Sequence, residues 1–168
     1  MTDLAPDPIP EPTAQRALGV LEIACARDIM IATAESCTGG LLAALLTDCE
    51  GYSHVFDRGF VTYSEEAKSD LLGIAPELID EHGAVSKPVA LAMAKGAIEQ
   101  SRAGLSVAIT GFAGPTKEGE EGLVHLACQR RGGATLHREE HFGTIGRDAV
   151  RTAALEVALE MLKEALQE

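Results

Sequence analysis

The sequence predicts an α/β fold, a three-layer α/β/α sandwich around a mixed β-sheet. Three observations lead there. Short apolar runs alternate with helix-like stretches through the first two-thirds of the chain. The runs "GLVHLACQ" and "ATLHREEHF", joined by "RRGG", read as a β-hairpin and add antiparallel strands to the sheet. The chain then closes on "GRDAVRTAALEVALEMLKEAL", an amphipathic helix. With 168 residues, 46% of them hydrophobic, the chain suits one domain with a single sizeable core. Aromatics are only 4% and Trp is absent, so Ala, Leu, Val and Ile must fill that core.

The elements follow in order. Residues 1–13, "MTDLAPDPIPEPT", hold four prolines and three acids and are expected to form a disordered acidic tail. Residues 14–168 form the single domain. Ala14–Arg27 has helical spacing, with Leu18, Leu21 and Cys25 on one side. "DIMIATA" is a short buried strand. "ESCTGG" turns the chain into a helix over Gly40–Asp48. "VFDRGFVTY" is a second strand. "SEEAKSDLLG" is a short helix begun by Ser64 and stopped by Gly73. "PELIDEH" is another, with Pro76 at its start. Ser86 caps a longer helix whose alanines (Ala90, Ala94, Ala97) suit close packing. "LSVAIT" is a strand ended by "GFAGP", and residues 115–121 make an exposed charged loop.

Composition excludes several function classes. A net charge of −12 argues against nucleic acid and anionic membranes as partners. No apolar run approaches the ~20 residues of a membrane span. The N-terminus lacks the basic start and apolar stretch of a signal peptide. The four cysteines show no CxxC spacing and read as reduced thiols, so a cytoplasmic location is expected, with neither a disulfide frame nor a zinc site.

In open sheets of this kind, sites collect where strand ends turn into helices. "ESCTGG", "TGFAGP" and "FGTIGR" have that character. Ser36 follows an apolar strand and precedes a helix, where backbone N–H groups and the helix dipole favour negative charge. Gly39 and Gly40 would let a ligand approach the backbone. On the turn alone, N-capping by Ser36 or Thr38 is the commoner use of such residues. The P-loop lysine and the GxSxG glycine frame are both missing.

A serine needs a base to attack. The five histidines are scattered, and His125, His137 and His141 are expected at exposed sheet positions. The other candidate is a lysine of lowered pKa. Lys68 lies one turn into the helix that follows a strand end, and Tyr63 is at that end. From spacing alone, a surface lysine and a core-edge tyrosine are the commoner reading. Arg147 and Arg151 lie one turn apart on one helix face. Bidentate phosphate binding and an exposed pair answering nearby acids stand level for them.

The blocks "ATAESCTGGLLAALLTDCEGYSHVFDRGFVTYSEEAKSDLLGI", "EHGAVSKPVALAMAKGA", "AITGFAGP" and "GRDAVR" resemble, in the same order, the C-terminal domain of the competence/damage-inducible CinA family. The resemblance covers about residues 14–165. It implies the CinA C-terminal domain fold and hydrolysis of the carboxamide of nicotinamide mononucleotide, giving nicotinic acid mononucleotide and ammonia in pyridine nucleotide salvage. It implies Ser36 as nucleophile with Tyr63 and Lys68 as partners, and no metal or cofactor. Backbone N–H groups near Cys37, Thr38, Gly39 and Gly40 would hold the oxyanion. Arg147 and Arg151 would take the phosphate, and Thr110 and Gly111 would line the pocket. Glu35 would fix Lys68 or a backbone amide, or serve a structural network. Cys37 would pack or donate its amide. An alanine-rich surface and the family's habit suggest a homo-oligomer.

Two departures bear on substrate preference. After "TGFAGP" many members carry a Gly-rich segment and then Pro-Val-Gly, where this chain has the shorter, more acidic "TKEGEEGLVH". Many have an acid just before the first arginine, where this chain has Gly146. The alternatives to the amidase are a catalytically silent nucleotide- or partner-binding module of the same family, and an amidase for another small amide.

Overall fold

Eleven elements build the domain in the computed structural model, which describes residues 9–167. In chain order they are α1 (Glu11–Ala26), β1 (Ile31–Glu35), α2 (Leu41–Thr47), β2 (Phe56–Val61), α3 (Glu65–Leu72), α4 (Pro76–His82), α5 (Lys87–Glu99), β3 (Leu105–Gly111), β4 (Leu123–Arg130), β5 (Thr135–His141) and α6 (Arg147–Gln167). Of the expected tail, residues 1–8 lie outside the described residues. The first helix starts earlier than its apolar spacing predicts. The Pro10 carbonyl accepts from the Thr13 and Ala14 amides. Thr13 is buried, and its hydroxyl donates to Glu156 of α6. Glu11–Thr13 therefore belong to the helix and not to the tail.

The sheet order is β2-β1-β3-β4-β5. β2, β1 and β3 run parallel, and β4 and β5 add antiparallel, so the sheet is mixed as the sequence predicts. Strand alternation sends successive side chains to opposite faces. Ile31, Leu105, Val107, Ile109, Val124, Leu126 and Cys128 join α1, α2 and α6 in one core cluster. Ala34, Ala108 and Ala127 join the helices of the other side, α3, α4 and α5. Three small residues in a row across the sheet let α5 lie close to it. Ala90, Ala94 and Ala97 of α5 are fully buried there, in the close packing that the sequence predicts for them.

That same packing places α3. At Gly96 of α5 a Cβ would fall 2.2 Å from the Leu72 carbonyl oxygen, so only glycine lets α3 approach this closely. The approach brings Lys68, on α3, beneath the C-terminal end of β1.

Candidate active site

Two neighbouring residues at the end of β1 face opposite ways. Glu35 points toward α2, and Ser36, one residue on, toward the α3 side. The Ser36 amide continues the sheet ladder by donating to the Ile109 carbonyl at 2.9 Å. The Gly39 amide then closes the turn on the Ser36 carbonyl at 3.0 Å.

Glu35 does what the sequence assigned to Ser36 or Thr38. It is fully buried, and its carboxyl oxygens accept from the Leu42 amide at 3.0 Å, the Ala43 amide at 2.8 Å and the Thr38 hydroxyl at 2.7 Å. The N-cap residue of α2 is Gly40, in the left-handed region, with no side-chain cap. Neither Ser36 nor Thr38 caps the helix, because a carboxyl group from the strand already satisfies its first-turn donors. Glu35 holds backbone amides and not Lys68.

Freed from capping, Ser36 faces Lys68. Ser64 caps α3 by accepting from the Ala67 amide at 3.1 Å, which sets Lys68 one turn into that helix. Lys68 is 1% exposed, far from the surface lysine that spacing alone favours. Its Nζ donates to the Thr62 carbonyl at 2.9 Å and lies 3.0 Å from Ser36 Oγ. Burial pushes the Lys68 ammonium below its ordinary pKa of 10.5, against smaller opposing effects from Glu65 and Cys37. A neutral amine at that distance is able to take the serine proton.

The pair opens onto a cavity of about 430 Å³. Cys37, Tyr63, Thr110, Gly111 and Arg147 line it with them. Tyr63 is 63% exposed, and its hydroxyl accepts from Arg147 Nη2 at 3.1 Å, so it stands at the rim with Arg147. Thr110 is on the same sheet face as Ser36, and its hydroxyl donates to the Ala84 carbonyl at 2.8 Å. Cys37 is buried, and burial pushes its thiol up to about 11, which keeps it protonated and a poor nucleophile at neutral pH.

Glu35, Thr38, Gly39, Gly40 and Arg151 are not in the cavity wall. They support the turn from behind. Arg151 Nη2 donates to the Thr38 carbonyl at 3.0 Å, and Nη1 lies 3.7 Å from Asp148. The two arginines thus divide, Arg147 to the cavity and Arg151 to the turn. Among the described residues, the amides of Gly39, Leu41, Leu42 and Ala43 are spent within the turn and on Glu35. Of the turn's remaining residues, Cys37 lines the cavity beside Ser36.

Sequence reasoning missed Glu65, Phe112, Thr116 and Glu118, which also line the cavity. The last three sit in and after the "TGFAGP" turn, which has the character of a site loop, but no local pattern says which of its side chains face inward. His125 is the other surprise. It was expected to be exposed, yet it is buried on the α5 face, next to Thr110 across the β3–β4 pairing. Its ring stacks on His137, with nitrogens 3.2 Å apart.

Fold and site together define a class: an α/β protein that sets a strand-end serine against a buried lysine at the floor of an open cavity. The chain belongs to the CinA C-terminal domain family, whose model matches residues 14–166. Among curated relatives, it is 46% identical over 140 residues to the nicotinamide-nucleotide amidohydrolase PncC of Escherichia coli K12, covering 82% of this chain and 84% of that protein. A CinA-like protein of Mycobacterium marinum is 46% identical over 144 residues, which are 84% of this chain and 34% of that longer protein. The crystal structure of the competence/damage inducible protein CihA from Agrobacterium tumefaciens superposes with a TM-score of 0.91 at 46% identity, covering 96% of this chain and 99% of that one. The competence damage-inducible protein A from Klebsiella pneumoniae gives a TM-score of 0.88 at 33% identity, covering 93% and 98%.

Proposed function

We propose that this protein is a nicotinamide-nucleotide amidohydrolase, converting nicotinamide mononucleotide to nicotinic acid mononucleotide and ammonia. The observation that carries the mechanism is the 3.0 Å contact between Lys68 Nζ and Ser36 Oγ at the cavity. Neutral Lys68 takes the Ser36 proton as Oγ attacks the carboxamide carbon. The oxyanion that forms is held by the backbone amide of Cys37, which lines the cavity beside Ser36. The resulting Lys68 ammonium returns the proton to the departing nitrogen, and the C–N bond breaks to give ammonia and a nicotinoyl ester on Ser36. Water, deprotonated by Lys68, then attacks the ester carbon, the bond to Ser36 Oγ breaks as the Lys68 ammonium returns the proton to Oγ, and nicotinic acid mononucleotide leaves.

Lys68 is the direct base in this scheme, which the two distances from its Nζ support. Tyr63 acts at the rim by holding Arg147, whose guanidinium takes the substrate phosphate. Arg151 acts through the turn by bracing the Thr38 carbonyl.

The proposal extends to a cytoplasmic homo-oligomer. The free thiols of Cys25, Cys37 and Cys49 and the exposed apolar side chains Val61, Leu71 and Ile145 support it. Light scattering of the purified protein checks the oligomer. The activity is tested by incubating purified protein with nicotinamide mononucleotide and quantifying both products. Equimolar ammonia and nicotinic acid mononucleotide support the reading, and intact substrate overturns it.

A further inference from the structure

The acidic loop at residues 115–121, where this chain departs from the family's glycine-rich pattern, is tied down over the cavity. At its base the Phe112 amide donates to the Leu123 carbonyl at 2.9 Å, and the Gly122 amide donates back to Phe112 at 2.8 Å. Gly119 lies flat on the Phe112 ring, where a Cβ would fall 2.3 Å from a ring carbon. The Glu118 amide donates to the Thr116 hydroxyl at 3.0 Å. These contacts fix the backbone on both sides of Glu118, which lines the cavity together with Thr116 and Phe112.

The charges around the cavity then fall into a pattern. Its charged lining residues are Lys68, Arg147, Glu65 and Glu118. Burial disfavours the ammonium form of Lys68, and Arg147 is the cavity's other cation. Glu65 begins α3 and acts on the charge of Lys68 from the same helix. Glu118 comes from a different wall, an exposed acidic residue bordering a cavity otherwise proposed to take a phosphate. A site for an anion alone would not gain from it. A nicotinamide nucleotide, however, is a zwitterion: its phosphate is negative, and its ring nitrogen, bonded to the sugar, is a quaternary pyridinium. With the carboxamide at Ser36 and the phosphate at Arg147, the pyridinium lies inside the cavity.

We propose that Glu118 is a specificity residue whose carboxylate faces the cationic ring of the substrate and selects a pyridinium over an uncharged ring of the same shape. This rests on the amidase reading above. Reduced nicotinamide mononucleotide is the matching probe, because it keeps the sugar, phosphate and carboxamide while its dihydropyridine ring is neutral.

The experiment measures binding of both forms by calorimetry to the Ser36→Ala protein, then to Ser36→Ala carrying Glu118→Gln or Glu118→Asp. With Glu118 present, the oxidised form is expected to bind roughly ten-fold tighter than the reduced form, which corresponds to about 1.4 kcal/mol. Glu118→Gln is expected to bring that ratio close to one by weakening only the oxidised form, and Glu118→Asp to restore part of it. A ratio that stays the same in Glu118→Gln overturns the role of Glu118. If the Ser36-intact protein still releases ammonia, the amidase reading survives that result. If neither form binds and no ammonia appears, both readings fail together.

Discussion

Replacing Lys68 with methionine separates what the lysine does for chemistry from what it does for stability. The side chain is of similar length and is neutral, so it fills the same buried channel. Two hydrogen bonds vanish, to the Thr62 carbonyl and to Ser36 Oγ, worth about 1 kcal/mol each. Against that loss, the desolvation of a buried ammonium is removed, and each unit of its pKa depression corresponds to about 1.4 kcal/mol. The two effects oppose, so the net stability change near pH 7 is expected within about 2 kcal/mol, a Tm shift of no more than about 4–8 °C. Activity has no such compensation. Loss of the base is expected to lower kcat/KM by about 10²–10⁴.

The pH dependence supplies the sign. Folded Lys68 has a pKa below 10.5, so between that lower value and 10.5 the unfolded chain binds more protons than the folded one. Stability from this group is therefore present above pH 10.5 and is lost as pH falls through the folded pKa. Relative to Lys68→Met, the wild type should gain Tm as pH rises from 7 to 10. Its kcat/KM should rise through the same folded pKa, because the neutral amine is the active form. Differential scanning calorimetry and ammonia release across pH 6–10 measure both. A Tm difference that is flat with pH, or a Lys68→Met protein within about three-fold of wild-type activity, would refute the reasoning.

Three further outcomes follow from other parts of the structure. Gly96→Ala drives a Cβ into the Leu72 carbonyl and displaces α3, so it should cost about 1–3 kcal/mol in urea unfolding and lower kcat with it. Glu35→Ala strands the Leu42 and Ala43 amides in the interior and should destabilise the fold by at least about 2 kcal/mol, read from the denaturation midpoint. Burial lowers the pKa of His125 and, with His125 beside it, of His137. Their contribution is present above pH 6.5 and lost as pH falls through the folded values, so His125→Phe should flatten the loss of Tm on acidification.

The fold was largely legible because its elements carry strong local signals. Ser64 and Ser86 cap the helices they were expected to cap, and "RRGG" joins the two strands of a paired hairpin. The floor of the site was legible only in part. The turn offered Ser36 as a candidate nucleophile but favoured a helix cap, and nothing local distinguishes Lys68 from a surface lysine. Its burial depends on Gly96 meeting Leu72, a contact between residues 24 positions apart. Glu35 escaped for a similar reason. It satisfies amides seven and eight residues ahead, a spacing that matches no capping pattern. His125 was misplaced because alternation gives a strand residue's face without saying which faces are covered, and α5 covers this one.

The central claim is that Ser36 is the nucleophile of an amidase, and one comparison tests it most directly. Wild type and Ser36→Ala are each incubated with nicotinamide mononucleotide at pH 8, with ammonia followed over time and quenched protein weighed by mass spectrometry. The expected result is steady ammonia release and a transient nicotinoyl adduct on wild type, with both absent from a folded Ser36→Ala protein. Ammonia release by Ser36→Ala at the wild-type rate would contradict the account.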